Sequence, residues 1–398
     1  MPTRILNVPA RHPLNRLSDA IKGRLVAAQG NTFEVEFSSS ADLCSPVLSD
    51  LKIAINTPRL LRDQPATDLG DRTAKDLMAF FSGLLTQNKI PAQAISLHAA
   101  NLCHRVQLLR AFDQPDRVVE ETCEKVAEVV KGFPTAVEHI RRGRNPGDVL
   151  DPYILGAAQL LMCSGDFEHT ISATVAHKVL MIIECLLGHL HEDVIGAMRG
   201  NVRAPVPRGA DQETLDPQTN PFPGADIVQP PLISGRPLRF HQVKSKTGSA
   251  KGGDGRRLGM QLAQLQKRYG GEAYYDALIG NTLRGHRSMA GVQRAAPSVV
   301  VLVGESAFRE LTGSAVGPQL LLRLYQSAFD VAAKQTGFCL ADIVATIYSA
   351  FRQRADELGE GFLEAVLHDA IYGVPEEQDS RYFLRSRPRK GSGSAADG

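Results

Sequence analysis

The residue types best suited to catalysis in this chain are an acid, Asp226, and a Gln-x-Lys motif formed by Gln242 and Lys244. Asp226 lies in a short apolar run, and the motif lies in the next such run along the chain. Two adjacent strands of a bent hairpin would bring these side chains together, because alternate residues of a strand share a face. The acid can bind a divalent metal, and the lysine can orient or deprotonate a water and offset phosphate charge. The pattern therefore predicts a site that cleaves phosphodiester bonds.

Oxygen ligands for the metal can come from three neighbouring positions. Asp226 offers a carboxylate, Gln242 a neutral amide oxygen, and Val243 its backbone carbonyl. Mg²⁺ prefers such oxygen-rich, partly hydrated shells, so we expect Mg²⁺, with Mn²⁺ as the second choice. Gln242 brings no charge and therefore binds a cation more weakly than a carboxylate would.

The elements that would position these residues follow from the periodicity around them. A long helix is predicted over residues 171–198, because its apolar residues recur at three- and four-residue steps. A second amphipathic helix is expected over residues 256–269. Strands are predicted at four places: 225–228, 238–243, 273–279 and 298–303. The last is an uninterrupted apolar run, typical of a buried strand. This order favours an α/β (α+β) fold with a central mixed sheet flanked by helices.

The remaining sequence reads as mostly helical on both sides of this core. Residues 1–170 are expected to form a helical N-terminal domain with a short β segment, since residues 32–37 alternate apolar and polar positions. The core is assigned to residues 171–310. Residues 311–385 form a helical C-terminal region with helices at 318–335, 339–357 and 361–371, and residues 386–398 form a disordered tail.

Positive charge is concentrated around the catalytic pattern. Residues 236–294 carry twelve basic residues and three acids, a local balance of +9 in a chain whose net charge is only +2. A polyanion would have to bind here, so nucleic-acid contacts are assigned to Lys246, Lys251, Arg256 and Arg257. The alternative is an ordinary solvated, charged surface.

Composition indicates a globular protein of two or three domains. The chain has 398 residues, of which 43% are hydrophobic and 22% charged. The six cysteines are scattered without a C-x-x-C motif, which argues against a disulfide framework or a structural zinc site. No uninterrupted apolar run reaches the length of a membrane span, and the start does not resemble a secretion signal. We therefore expect a cytoplasmic protein that does not cross a membrane.

The G-x-D pattern followed by an extended Q-x-K, between a long helix and a second amphipathic helix, resembles the PD-(D/E)xK nuclease superfamily. The similarity is greatest to its Mrr-like branch, in which Gln replaces the usual acid, and it covers about residues 171–305. The resemblance implies a restriction-endonuclease-like core and Mg²⁺-dependent cleavage of DNA. It also implies a further acid from the first core helix, for which Glu192 is the best candidate, followed by Glu184 and Asp193. Gln261 or Gln264 would support the site. Ala225 stands where the eponymous motif has proline.

These expectations lead to a metal-dependent DNA endonuclease in a prokaryotic restriction or anti-phage system. A homodimer is expected, since cutting both strands requires two sites. Two alternatives remain open: a non-cleaving nucleic-acid-binding module on a degenerate nuclease fold, and a scaffold subunit of a larger defence complex.

Other candidate sites are weaker. His189 and His191 do not share a helix face and are expected to face solvent. Cys103 is expected to be a small core residue rather than a nucleophile. The loop over residues 248–255 contains glycines and a lysine, but it does not match the phosphate-binding G-x-x-x-x-G-K-[ST] pattern.

Overall fold

The computed structural model describes residues 4–50, 52–55, 58–142, 150–206, 214–232, 235–246, 254–280, 287–359 and 361–372. Lys251 and the predicted tail at 386–398 lie outside these residues. The chain forms two compact units, each built from two stretches of sequence. Unit 1 joins the described residues of 1–124 and 186–331, and unit 2 joins those of 125–185 and 332–398. The units therefore alternate along the chain, whereas the sequence suggested consecutive segments.

Helices dominate both units. Fifteen α-helices are present among the described residues: α1 (Asp19–Gly30), α2 (Phe33–Glu36), α3 (Ser40–Asp50), α4 (Ala66–Gly70), α5 (Ala74–Gln87), α6 (Ala92–Ala111), α7 (Pro115–Arg141), α8 (Pro152–Leu161), α9 (Phe167–Gly196), α10 (Asp254–Tyr269), α11 (Arg287–Ala295), α12 (Glu305–Thr312), α13 (Gly317–Thr336), α14 (Leu340–Leu358) and α15 (Phe362–Tyr372). The predictions of helices near 171–198, 256–269, 318–335, 339–357 and 361–371 are confirmed.

The strand predicted over residues 32–37 is wrong, because α2 occupies this segment. Phe33 and Phe37 are four positions apart, so one helical turn places both rings on the same side. Both side chains are buried, their centroids lie 5.3 Å apart, and the N–H of Phe37 donates to the Phe33 carbonyl at 2.9 Å. The alternation of apolar and acidic residues therefore came from a short amphipathic turn.

A single five-stranded sheet lies in unit 1, with its strands in chain order: β1 (Val202–Arg203), β2 (Ile227–Gln229), β3 (Arg239–Lys246), β4 (Glu272–Ile279) and β5 (Val300–Val303). β1, β2 and β3 pair antiparallel, whereas β3, β4 and β5 pair parallel. Parallel neighbours require a crossover connection, and α10 lies between β3 and β4 in the chain. The predicted mixed sheet and its four strands are confirmed, while β1 is too short to give a sequence signal.

The expected burial of the last strand is wrong. β5 is an edge strand, and its Val300 is 44% exposed. The apolar run identified a strand but could not distinguish an edge from the centre of the sheet.

Amphipathic packing fixes the position of α10 on one face of the sheet. Leu258, Leu262, Leu265 and Tyr269 are buried with Phe240 and Tyr275 of the strands. Phe222 joins Phe240 and Tyr269 in a cluster with ring centroids 5.6–5.9 Å apart. This apolar packing holds β3, and with it Gln242 and Lys244, in place.

The other face of the sheet carries α12. Glu310 of α12 forms an ion pair with Arg239 of β3, and the Glu310 carbonyl accepts from Gln229 of β2 at 3.2 Å. The expectation of a sheet flanked by helices is thereby confirmed.

Unit 2 has a separate hydrophobic core. The buried residues of this core come from α8, α9, α14 and α15 and include Leu155, Val175, Ile347, Phe351 and Phe362. Phe351 and Phe362 meet edge-on, with centroids 5.8 Å apart.

Among the described residues, α9 is the one helix long and apolar enough to cross a membrane. Core helices of soluble proteins meet the same length and composition criteria. Ile171, Val175 and Val179 of α9 are buried in the unit 2 core, but only 22% of its apolar 18-residue window is buried, and Leu180 and Met181 are exposed.

Candidate active site

The register of the β2–β3 pair places Asp226 directly opposite Gln242. Ile227 pairs with His241, so Asp226, one residue before β2, faces Gln242, one residue further along β3. The Asp226 N–H donates to the His241 carbonyl at 2.8 Å. The Asp226 carboxylate accepts hydrogen bonds from the Gln242 side-chain amide and, at 2.9 Å, from the Val243 N–H. The sixteen-residue spacing therefore spans a hairpin connection, as the sequence predicts.

Lys244 follows Gln242 by two positions, so both lie on the same face of β3. Its strand neighbour on β4 is the small residue Ala277. The Lys244 side chain is partly buried, and its charge lowers the pKa of both Asp226 and Glu192. Lys244 thus belongs to the same electrostatic cluster as the two acids.

Glu192 reaches this cluster from the C-terminal part of α9. Gly196, one turn later, packs so closely on β1 that a Cβ there would lie 2.7 Å from the Arg203 Cβ. This close approach brings Glu192 into an ion pair with Arg203, with 18% of each side chain exposed. Arg203 also pairs with Asp193 at 3.1 Å and donates to the Asp226 carbonyl at 3.4 Å.

The acids are held in a low-dielectric setting that disfavours their charge. Burial raises the pKa of Asp226 to about 7, and Glu192 acts in the same direction, while Lys244, the Val243 N–H and Arg203 oppose the rise. Burial likewise raises the pKa of Glu192, against the lowering effects of Arg203 and Lys244. Two mutually repelling carboxylates are the arrangement that an added cation would stabilise.

The donor set fits a magnesium ion with few protein ligands. In the described part of the chain, no three His, Cys, Asp or Glu side chains are grouped as a metal centre. Mg²⁺ is commonly held by one or two carboxylates, with waters and substrate phosphate completing its shell, and Asp226 and Glu192 could supply these. Gln242 points an amide N–H at Asp226, so its oxygen could serve as a ligand only after the amide turns over. Val243 acts on Asp226 through its N–H, and its carbonyl remains a predicted ligand.

Gln261 supports the turn that precedes Asp226. Gly224 has a φ of 81°, and a Cβ there would lie 2.7 Å from the Gln261 Cβ. Only glycine permits both this backbone conformation and this close contact. Gln261 is buried at this contact, whereas Gln264 is exposed on the outer face of α10.

The site includes residues that sequence reasoning missed. Arg203 lies in a two-residue strand, which is too short for an alternating pattern of apolar and polar residues to be recognised in the sequence. Tyr275 is fully buried on β4 opposite Gln242, donates or accepts a hydrogen bond with Ser288 at 2.9 Å, and has its pKa raised by burial and by the charge of Asp226. The aromatic run around Tyr275 predicted only a strand.

The predicted nucleic-acid contacts are described in part. Arg256 and Arg257 are exposed at the N-terminal end of α10, and Met260, Gln264 and Lys267 are exposed further along this helix. Lys251 and the side chain of Lys246 lie outside the described residues.

A second ionisable cluster lies on the opposite face of β3. His241 donates or accepts a hydrogen bond with Asp276 at 2.9 Å, and both side chains are fully buried. The His241 ring stacks on Tyr274 with centroids 4.8 Å apart. Burial raises the pKa of Asp276, while His241 opposes the rise.

The weaker candidates are mostly structural. The expectation that His191 faces solvent is wrong, because its Nδ1 lies 2.8 Å from the Tyr325 hydroxyl and burial lowers its pKa to about 4. His191 is partly buried on α9, whereas His189 is exposed. Cys103 is buried, as predicted, with its thiol 3.6 Å from the Ala74 carbonyl.

Comparison of the whole chain with protein-family models and with curated protein sequences finds no match.

Proposed function

We propose that this protein is a Mg²⁺-dependent DNA endonuclease with a site of the PD-(D/E)xK type. One observation carries the proposal. The β2–β3 register sets Asp226 against Gln242, and Lys244 lies on the same face of β3. Glu192 adds a second acid, as a neutral Gln242 requires.

In this proposal Asp226 and Glu192 would hold the cation, and Gln242 would add its amide oxygen once the amide turns over. The bound ion would supply Lewis-acid activation of the phosphate and of a water nucleophile. Lys244 orients the attacking water and offsets the charge that grows on the phosphate oxygens. Arg203 holds Glu192 in position and supplies the positive charge that this acid needs before a metal binds.

The exposed Arg256 and Arg257 would contact the DNA backbone. Phosphate contacts of this kind position a duplex without reading its sequence. Restriction of foreign DNA in the cytoplasm, and action as a homodimer or as part of a defence complex, belong to the same proposal.

The test is incubation of the purified protein with supercoiled plasmid and Mg²⁺ or Mn²⁺, against EDTA. Nicked and linear products should appear only with metal, and Asp226→Ala should abolish them. A metal-dependent activity that Asp226→Ala retains would refute the assignment of the site.

A non-cleaving DNA-binding module is the second candidate. It is favoured by the neutral Gln242 and by the ion pair that Glu192 already forms with Arg203. Plasmid binding without cleavage under both metals would establish it.

A further inference from the structure

The face of α10 that points away from the sheet is exposed and basic. Arg256, Met260, Gln264 and Lys267 follow one another at three- and four-residue steps, so they form one stripe along the helix. All four residues belong to one shallow surface, and the leucines of α10 are buried on its opposite side. After its first residue, Asp254, α10 contains no Asp or Glu. This stripe therefore attracts an anionic partner.

The positive charge of the stripe is divided between its two ends. Arg256 and Arg257 lie near the N-terminal end of α10, and Lys267 and Arg268 lie in its last turn. Eleven positions separate Arg256 from Lys267, a rise of about 16 Å along the helix. The major groove of B-DNA is about 12 Å wide and admits an α-helix. Long basic side chains at the two ends can therefore reach the phosphates on both sides of that groove, while the middle of the helix faces the bases.

The middle of the stripe carries two side chains suited to base edges. Met260 is 56% exposed, and Gln264 is exposed one turn further on. In the major groove, glutamine pairs with the N6 and N7 atoms of adenine, and an apolar side chain contacts the methyl group of thymine. These two residues can distinguish A·T pairs, which the charged ends of the stripe cannot do.

α11 holds this part of α10 rigidly in place. A Cβ at Gly255 would lie 2.2 Å from the Ser288 carbonyl oxygen. A Cβ at Gly259 would lie 2.9 Å from the Val292 carbonyl oxygen. The backbones of the two helices are therefore in contact, and Ala295 of α11 borders the exposed surface of α10. A rigid helix pair loses little conformational entropy on binding.

The stripe is also next to the acid cluster. Gln261, the residue after Met260, contacts Gly224, where a Cβ would lie 2.7 Å from the Gln261 Cβ. Gly224 precedes Asp226 by two residues. A duplex bound along α10 would therefore pass close to Asp226.

We propose that α10 lies in the major groove of duplex DNA and reads its sequence, an assignment that rests on the proposed function in taking DNA as the substrate. Arg256, Arg257 and Lys267 contact phosphates on the two sides of the groove, Gln264 binds an adenine, and Met260 packs on a thymine methyl group. Duplex RNA does not fit this face, because its major groove is deep and narrow and side chains cannot read it.

The test is selection from a randomised DNA duplex library by the full chain in EDTA, followed by fluorescence anisotropy with the selected duplex. The wild type should select a site with a fixed A·T pair and should bind it more tightly than an RNA duplex of the same sequence. Gln264→Ala should reduce the discrimination at that pair by roughly 5- to 150-fold, the usual contribution of a two-bond contact to a base.

Lys267→Ala tests the phosphate contacts. It should weaken binding to all DNA duplexes alike and make the slope of log affinity against log salt less negative by about 0.9, the value for one phosphate contact. The exposed Lys75→Ala is the matched control and should keep the affinity, the slope and the sequence preference of the wild type. Gln264 and Lys267 are both exposed, so urea unfolding of the two variants should match that of the wild type.

Absence of any sequence preference, unchanged discrimination by Gln264→Ala, or equal affinity for the DNA and RNA duplexes would overturn the proposal. Selection that depends on Gln264, without plasmid cleavage under Mg²⁺ or Mn²⁺, would refute the proposed function and support the role of α10. Metal-dependent cleavage that Asp226→Ala abolishes, by a protein whose preference does not depend on Gln264, would refute the role of α10 alone.

Discussion

The two faces of β3 carry two ionisable clusters that differ in how their carboxylates are satisfied. On one face, fully buried Asp276 meets His241, and Arg239 pairs with Glu272 and Glu310. On the other, Asp226 is partly exposed and receives only neutral N–H donors at its side chain. The first cluster lies inside the protein and suits a structural role, although Asp276 Oδ1 and His241 Nε2 have no hydrogen-bond partner. The second retains excess acid and solvent access, as a cation site requires.

The largest expected effect is on catalysis. Lys244→Ala should lower metal-dependent plasmid cleavage by about 10³-fold, because it removes the cation beside the developing phosphate charge. Unfolding in urea should be little changed, since Lys244 is not a core residue. The exposed Lys75→Ala controls for loss of one positive charge and should cleave normally. Normal cleavage by Lys244→Ala would remove the distinction between the two faces.

On the face that carries His241 and Asp276, the effect should be on stability. Asp276→Ala should lower the free energy of unfolding by about 2–4 kcal/mol, because it strands the buried His241. Combining His241→Phe with Asp276→Leu should recover most of that loss, since an apolar pair needs no partners and keeps the stacking on Tyr274. Urea denaturation of the wild type and of these two variants measures both effects. Little destabilisation by Asp276→Ala would show that the pair is not structural.

The raised pKa of Asp226 makes both cation binding and stability at its cluster depend on pH. Only the ionised acid binds a cation, so apparent Mg²⁺ affinity should fall by about tenfold per pH unit below pH 7. A raised acid pKa also means that the stability from neutral Asp226 is present below pH 3.8 and lost as pH rises to about 7. Asp226→Asn should therefore exceed the wild type in stability by about 1–3 kcal/mol at pH 8 and match it below pH 4. Metal titrations and denaturation between pH 4 and 8 measure both, and a flat profile would contradict a raised pKa for Asp226.

The smallest effect sharpens the role of the neutral amide. Gln242→Glu should raise Mg²⁺ affinity about fivefold to tenfold, because it adds charge beside Asp226. The metal-free protein should lose about 1 kcal/mol at pH 8 through like-charge repulsion. Gln264→Glu, on the exposed face of α10, should change neither quantity. An unchanged Mg²⁺ affinity for Gln242→Glu would place the metal away from β3.

Local sequence signals were enough to predict the helices and strands around Asp226, Gln242 and Lys244. The periodicity of α9 and α10 and the apolar runs of β3 and β4 are local signals, and the step of two between Gln242 and Lys244 fixes their common face. The alternation at residues 32–37 misled, since an aromatic pair four positions apart suits a helical turn as well as a strand.

Which residues meet, and how they are paired, depends on contacts between segments that are distant in the chain. The ion pair of Glu192 with Arg203 depends on Gly196 packing against β1. No local sequence pattern links these two segments. The edge position of β5 and the separation of His241 from Gln242 into different clusters depend on neighbours distant in sequence. Local pattern therefore specifies Asp226, Gln242 and Lys244 as a candidate set, while burial and long-range contacts set the charge that each of them carries.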